Sequence, residues 1–110
     1  MEQPLIVLTH LPDMASAEAL AAALVEARLA ACVNLSTTVQ SVYRWQGKIE
    51  RANEVALTIK TTQRHYPALE AAIRAAHPYE VPEIIALPVV AGLSSYLQWI
   101  AAETSPDHHA

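Results

Sequence analysis

The sequence has no phenylalanine, one cysteine and two glycines among its 110 residues. The lone Cys32 excludes an intrachain disulfide, and we therefore expect a reducing, cytoplasmic location. With glycine only at Gly47 and Gly92, a glycine-rich phosphate-binding loop is excluded. The motifs G-x-S-x-G and H-E-x-x-H are also absent, and no acid–base pair occurs at short spacing. We therefore predict that the protein is not an enzyme.

Charged residues are few, and acidic residues slightly outnumber basic ones. Lys and Arg total 7 and Asp and Glu total 11, which gives a formal net charge of −4. No segment is rich in basic residues, so we expect no nucleic-acid partner. The first residues lack the basic character of a secretory signal, and no apolar run is long enough to span a bilayer. We therefore expect no membrane partner either.

Apolar residues are abundant, at 53% of the chain against 16% charged. A chain of this length builds one core, so we predict a single domain over 1–110 with a flexible tail at 104–110. The apolar share exceeds what a monomer of this size needs to bury. Self-association is therefore expected.

The hydrophobic periodicity changes several times along the chain. Alternating residues indicate strands, and apolar positions spaced three and four apart indicate helices. The predicted elements are a strand at 5–9, a helix at 15–31, long strands at 32–45 and 48–61, a helix at 62–76, a strand at 84–90 and a short helix starting near residue 94. Gln46-Gly47 between the two long strands is typical of a hairpin turn.

This order predicts an α+β fold of the ferredoxin-like βαββαβ type. It has an antiparallel sheet with helices on one face, a long β-hairpin and a short C-terminal helix. The hairpin at 32–61 is long enough to project past its own sheet. The uncovered face of the sheet needs either the last helix or another subunit.

The connector at 77–84 (HPYEVPEI) concentrates groups that can bind a metal or a proton: His77, Tyr79, Glu80 and Glu83. Imidazole and carboxylate together suit copper and zinc. A structural interpretation is also open, because the two prolines fix the backbone and His77 would end a helix near its negative pole. From the residues alone, both a metal site and a rigid corner remain possible.

Other single residues allow similar alternatives. Cys32 is either a soft ligand or a small apolar filler. Lys60 is either aimed into a cleft or paired across the strands with Glu54. His10, after the first strand, is a weaker metal candidate. Three aromatic residues are interpreted as packing or interface residues rather than pocket walls: Tyr43, Trp45 and Trp99.

Five segments in this order and spacing resemble the CutA divalent-ion tolerance proteins. They are 31–34 (ACVN), 43–48 (YRWQGK), 57–61 (LTIKT), 77–83 (HPYEVPE) and 96–99 (YLQW). The resemblance implies a ferredoxin-like subunit in a tight homotrimer, similar in build to the PII signalling proteins. It also implies a role in tolerance of copper and other divalent ions, with no tightly bound cofactor and no established enzymatic activity.

The resemblance also implies particular site residues. His77 is similar to a copper ligand of a bacterial relative, but Thr9 and Ala76 stand where that relative has a cysteine and a second histidine. His10 is then a possible substitute for a missing ligand. The predicted metal ligands are His77, Glu80, Cys32 and His10.

Four residues match a group that lines the cleft between subunits in the family: Cys32, Lys60, Tyr79 and Glu80. Lys60 and Tyr79 are the predicted ligand-binding residues of this cleft. Two hypotheses follow, a trimeric metal-binding protein and, alternatively, a PII-like signalling module that binds a small anion there.

Overall fold

The computed structural model describes residues 2–105. Its elements are β1 (Pro4–Leu11), α1 (Met14–Glu26), β2 (Cys32–Trp45), β3 (Lys48–Thr62), a 3₁₀ turn (Gln63–His65), α2 (Tyr66–Ala76), β4 (Ile84–Pro88) and α3 (Ser94–Thr104). The element order confirms the one predicted from periodicity.

The four strands form one antiparallel sheet in the order β2-β3-β1-β4. This is the predicted ferredoxin-like arrangement, in which the first strand is central and the last is an edge. Pro88 ends the edge strand β4, where the missing N–H removes no ladder bond from the sheet interior. Lys60 on β3 pairs with Ile6 on one side and Cys32 on the other, which fixes the relative position of three strands.

The core lies on the face of the sheet that packs against α1 and α2. Alternate residues of β1 and β3 point into it, because side chains of a strand alternate between the two faces. The buried apolar residues of the two central strands are Leu5, Val7, Leu11, Val55, Leu57 and Ile59, and the helices add Ala17, Leu20, Leu24, Leu69 and Ile73. The opposite face is less covered. Ile85 and Leu87 of β4 are 48% and 49% exposed, while α3 contacts β3 and β1 and buries Ile100.

Helix α1 ends at Glu26, five residues before the predicted end at residue 31. Arg28 has a φ of 59°, in the left-handed region, and the N–H of Leu29 then bonds the carbonyl of Leu24. Left-handed residues commonly end helices, and glycine is the usual choice. The prediction was wrong because a non-glycine residue holds this position. Arg28 also donates to the Glu103 carbonyl of α3, at 3.1 Å.

Helix boundaries elsewhere follow simpler signals. Asp13 caps α1 by accepting from the Ser16 N–H at 2.7 Å, and this bond lowers the pKa of its carboxyl. The predicted helix at 62–76 begins as the 3₁₀ turn and becomes α-helical at Tyr66, with Pro67 in the first turn. Extended backbone at His77 ends α2 (φ −86°, ψ 132°).

The hairpin of β2 and β3 projects beyond the sheet. β3 pairs with β1 only from Val55 to Thr62, so its earlier residues pair with β2 alone. Gln46 and Gly47 at the tip have φ values of 50° and 81°, as a tight hairpin turn requires. The molecule measures 47 × 26 × 24 Å. The predicted ribbon is therefore present.

The predicted tail at 104–110 begins at Thr104, which the structure places at the end of α3 with a buried side chain. Residues 106–110 lie outside the described residues. Over residues 2–105, no helix is both long and apolar enough to cross a membrane.

Candidate functional site

His77 forms the corner between α2 and the following connector. Its Nε2 donates to the His10 carbonyl oxygen at the end of β1. Its Nδ1 accepts from the Tyr79 N–H at 3.3 Å, and the residue is only 8% exposed. Both ring nitrogens are therefore engaged within the chain. The two bonds hold the backbone on both sides of His77, which supports its interpretation as a rigid corner. A metal ion bound by His77 would have to replace one of these two bonds.

Tyr79 and Glu54 make the next contact. The Tyr79 hydroxyl donates to Glu54 Oε2 at 2.9 Å. Burial raises the pKa of Tyr79 to about 12, and the bond to the Glu54 carboxylate and its negative charge act in the same direction. Glu54 is 7% exposed, so β3 carries a buried carboxylate next to the buried Val55. Glu54 is not among the site residues predicted from the sequence.

Strand alternation does not reveal that Glu54 is buried. It places Glu54 on the face of β3 opposite the core residues Val55 and Leu57. The Tyr79 hydroxyl, which bonds the Glu54 carboxylate on that face, comes from 25 positions later in the sequence. A contact of this kind depends on the fold and has no local signal in the sequence.

An open cavity of about 670 Å³ lies between the projecting hairpin, the end of β1 and the connector after α2. We call it the hairpin cavity. Three carboxylates line it: Glu54, Glu80 and Glu83. Among the described residues, His10 is the only imidazole in the wall, and its Nδ1 lies 3.4 Å from Glu83 Oε1. Three aromatic rings also line the cavity: Tyr43, Trp45 and Tyr79.

Tyr43 and Trp45 line this cavity in the single chain and are 44% and 39% exposed. Trp99 stacks on Tyr96 with ring centroids 5.6 Å apart and is 42% exposed. The interpretation of these three aromatic residues as interface residues stays a prediction.

Cys32 and Lys60 lie toward the other end of the sheet. They are cross-strand partners, and Lys60 also faces Ile6, four residues before His10 on β1. At about 3.3 Å per residue, this separates them from His10 by roughly 13 Å along the strand. Within one chain, His10, Tyr79 and Glu80 come together at the hairpin cavity, and Cys32 and Lys60 do not join them.

Lys60 does not pair with Glu54. Its Nζ bonds Asn34 Oδ1, and Cys32 Sγ lies 3.9 Å from the same oxygen. Glu54 and Lys60 are six positions apart on one strand, which is too far for the predicted cross-strand pair. In the part of the chain that the structure describes, no group of three His, Cys, Asp or Glu side chains is arranged to hold a metal ion.

Comparison with known proteins identifies the family. A family model described as CutA1 divalent ion tolerance protein matches residues 5–103. The divalent-cation tolerance protein CutA of Thermus thermophilus is 46% identical over 99 residues, which are 90% of this chain and 96% of that protein. Human protein CutA is 50% identical over 93 residues, which are 84% of this chain but 52% of the human protein.

Solved structures agree with the sequence match. CutA1 from the psychrotrophic bacterium Shewanella sp. SIB1 superimposes with a TM-score of 0.91 at 44% identity, over 96% of this chain and 98% of that one. A protein from Archaeoglobus fulgidus, described as a periplasmic divalent cation tolerance protein CutA, gives a TM-score of 0.89 at 34% identity, over 93% and 99%. The chain belongs to the CutA1 divalent ion tolerance family.

Proposed function

We propose that this protein is a cytoplasmic homotrimer that contributes to tolerance of divalent metal ions, copper foremost, by binding them. The observation that carries the proposal is the family match over residues 5–103. The family and its relatives are described by tolerance of divalent cations and not by a reaction. No catalytic step is therefore part of the proposal.

Assembly is supported by apolar surface that a single chain leaves in water. Val42 and Ile49 of the hairpin are 54% and 56% exposed, and Ile85 and Leu87 of the edge strand are about half exposed. Exposed apolar patches mark protein interfaces. The free edges of β2 and β4 also offer backbone groups to a neighbouring chain.

The proposed ligands are His77, Glu80, Cys32 and His10. His10 and Glu80 share the wall of the hairpin cavity, and His77 adjoins them through the His10 carbonyl. Cys32 reaches such a site only from a neighbouring chain, because it lies toward the other end of its own sheet. Imidazole, thiolate and carboxylate ligands together favour copper over magnesium or calcium.

Calorimetric titration of the assembled protein with Cu²⁺ tests this proposal. All forms should carry His108→Ala and His109→Ala, which removes adjacent histidines near the C-terminus. His77→Ala is expected to weaken binding, and His65→Ala serves as the matched control. Equal affinity of the wild type and His77→Ala would remove His77 from the ligand set, and no binding by the wild type would refute the metal-binding role.

Cys32→Ser tests whether neighbouring chains share the site. It is expected to weaken Cu²⁺ binding only where light scattering shows an intact trimer. Serine keeps the size of the side chain and removes the soft sulfur ligand. Unchanged affinity in an intact trimer would exclude Cys32 from the site.

One observation favours a second candidate, a PII-like module that binds a small anion between subunits. Lys60 bonds an amide oxygen of Asn34 and has no carboxylate partner within residues 2–105, so its charge is available to an anion. A thermal-shift screen of nucleotides and organic acids tests this candidate. A ligand that stabilises the wild type but not Lys60→Ala, together with no effect of copper, would favour it over metal binding.

A further inference from the structure

A β-bulge interrupts the pairing of β2 with β3. Two residues of β2, Ser36 and Thr37, lie opposite the single residue Ala56 of β3. The Ser36 hydroxyl accepts from the Ala56 N–H at 2.9 Å and donates to the Thr37 carbonyl at 2.6 Å. The side chain therefore takes the place of a backbone carbonyl in the ladder and closes the bulge. This bond joins two strands of one chain, so it does not depend on what the free edge of β2 meets.

The bulge lies where the hairpin leaves the four-stranded sheet. Toward the hairpin tip, β3 pairs with β1 only as far as Val55. Among the described residues, 39–54 pair only with each other across the turn, and we call this two-stranded part the arm. A bulge bends its strand and increases the local twist. The bulge at Ser36 therefore sets the direction in which the arm leaves the sheet.

The arm needs support at its base, because an isolated two-stranded hairpin is only marginally stable in water. On β3, the Glu54 carboxylate at the base of the arm accepts from the Tyr79 hydroxyl at 2.9 Å. The connector that carries Tyr79 is itself bound to β1 through His77 and the His10 carbonyl. Ser36 thus holds the arm within the ladder, and Tyr79 holds it from one face of the sheet.

The arm carries apolar side chains on both of its faces. Val42 and Ile49 lie on one face and are 54% and 56% exposed, while Tyr43 and Trp45 lie on the other and are 44% and 39% exposed. Such surface fits a protein partner better than water. A second copy of the chain offers a matching surface, because its edge strand β4 also exposes apolar side chains.

We propose that the bulge at Ser36-Thr37 is a built-in bend that aims the arm at a second copy of this chain before the two copies meet. The inference rests on the proposed assembly and adds the feature that prepares each chain for it. An arm held in one direction loses less conformational freedom on association than a mobile arm does. If loss of the Ser36 bond leaves the arm in that direction about a tenth of the time, assembly slows roughly tenfold.

Refolding of the full chain from guanidinium, followed by light scattering at several protein concentrations, separates the concentration-dependent assembly step from the folding of each chain. Ser36→Ala should slow the assembly step roughly tenfold and change the folding step by less than about twofold. Ser36→Thr keeps the hydroxyl and should assemble at the wild-type rate. Ser41→Ala is the matched control, because Ser41 is also half-buried on β2 and faces Ala52 in the regular ladder.

Ser36→Val provides a second comparison if the alanine variant does not fold. Valine has the shape of threonine without the hydroxyl and suits a strand. It should assemble as slowly as Ser36→Ala. Exchange of the Ala56 amide hydrogen should also be at least about tenfold faster in the alanine and valine variants than in Ser36→Thr. Unchanged exchange would show that the hydroxyl does not hold the bulge and would overturn the proposal.

The assembly rates provide the other decisive outcomes. Equal rates for Ser36→Thr and Ser36→Val, or equal slowing by Ser36→Ala and Ser41→Ala, would overturn the aiming role of the bulge. A wild type that assembles, with Ser36→Ala assembling at the same rate, refutes this inference and leaves the proposed function standing. A wild type that stays monomeric at every concentration refutes the proposed assembly itself, and this inference with it.

Discussion

Two fully buried threonines on the core face of the sheet differ in one respect. Thr61 Oγ1 donates to the Leu29 carbonyl at 2.7 Å, whereas Thr9 Oγ1 has no hydrogen-bond partner among residues 2–105. Both side chains are 0% exposed. Replacing either by valine exchanges a hydroxyl for a methyl group of similar size. The same chemical change should therefore have opposite effects on stability at the two positions.

The magnitudes follow from the partners. A buried hydroxyl without a hydrogen bond costs about 1–3 kcal/mol in proteins, so Thr9→Val should stabilise the fold by up to that amount. Thr61→Val loses a hydrogen bond and leaves the half-buried Leu29 carbonyl unpaired, which should destabilise by about 1–3 kcal/mol. We expect the two variants to differ by roughly 2 kcal/mol or more.

Guanidinium unfolding measures both variants at one fixed protein concentration, because the proposed assembly would contribute to apparent stability. Thr38→Val, at an exposed position on β2, is the control and should change stability by less than about 0.5 kcal/mol. The m-values should stay constant, so that midpoints report stability. If Thr9→Val destabilises the protein as much as Thr61→Val does, the Thr9 hydroxyl has a partner such as a buried water and the reasoning is refuted.

Three further predictions concern the site and the hairpin tip. His77→Ala removes the bond to the His10 carbonyl and should destabilise the protein by about 1–3 kcal/mol in guanidinium unfolding. His65→Ala removes no side-chain hydrogen bond within the described residues, so it should change the unfolding free energy little. Equal effects of the two variants would contradict the role of His77 as a rigid corner. Because the pKa of Tyr79 is raised to about 12, the folded state favours the neutral phenol, so this contribution to stability is complete below pH 10 and lost as the pH rises toward 12. The unfolding free energy of Tyr79→Phe should not show this part of the decline between pH 10 and 12. Parallel curves of unfolding free energy against pH for the wild type and Tyr79→Phe would disprove the prediction. Gly47→Val places a β-branched residue at a φ of 81° and should destabilise the protein by about 1–2 kcal/mol. Amide hydrogen exchange in the hairpin should become faster. No change in either measurement would show that the turn rearranges freely.

Sequence patterns predicted the order of elements because each strand and helix carries its own period. The end of α1 was predicted wrongly, because the residue with left-handed backbone that follows the helix is Arg28 and not a glycine. The bond from Tyr79 to Glu54 joins residues 25 positions apart, one on the connector after α2 and one on β3. No local pattern encodes such a contact.

For the candidate site, the motifs sufficed to identify the family, which the comparisons confirm. The individual ligand assignments stay predictions, because the proposed site draws Cys32 from a neighbouring chain. His77 illustrates the limit. Its identity indicates a possible ligand, but only the fold reveals that the His10 carbonyl and the Tyr79 N–H engage its ring.

The central position of β1 has a consequence for how the chain acquires its fold. Of the four strands, β1 is synthesised first, yet its neighbours are β3 and β4, and Leu5 pairs with Pro88 on the last strand. Contacts so distant along the chain form slowly and leave apolar strands open to aggregation. The apolar stretch from Leu5 to Leu8 therefore lacks one of its two neighbours until β4 has been synthesised. Slow translation of the codons before β4 would keep the apolar residues of β1 exposed for longer and lower the yield of folded protein.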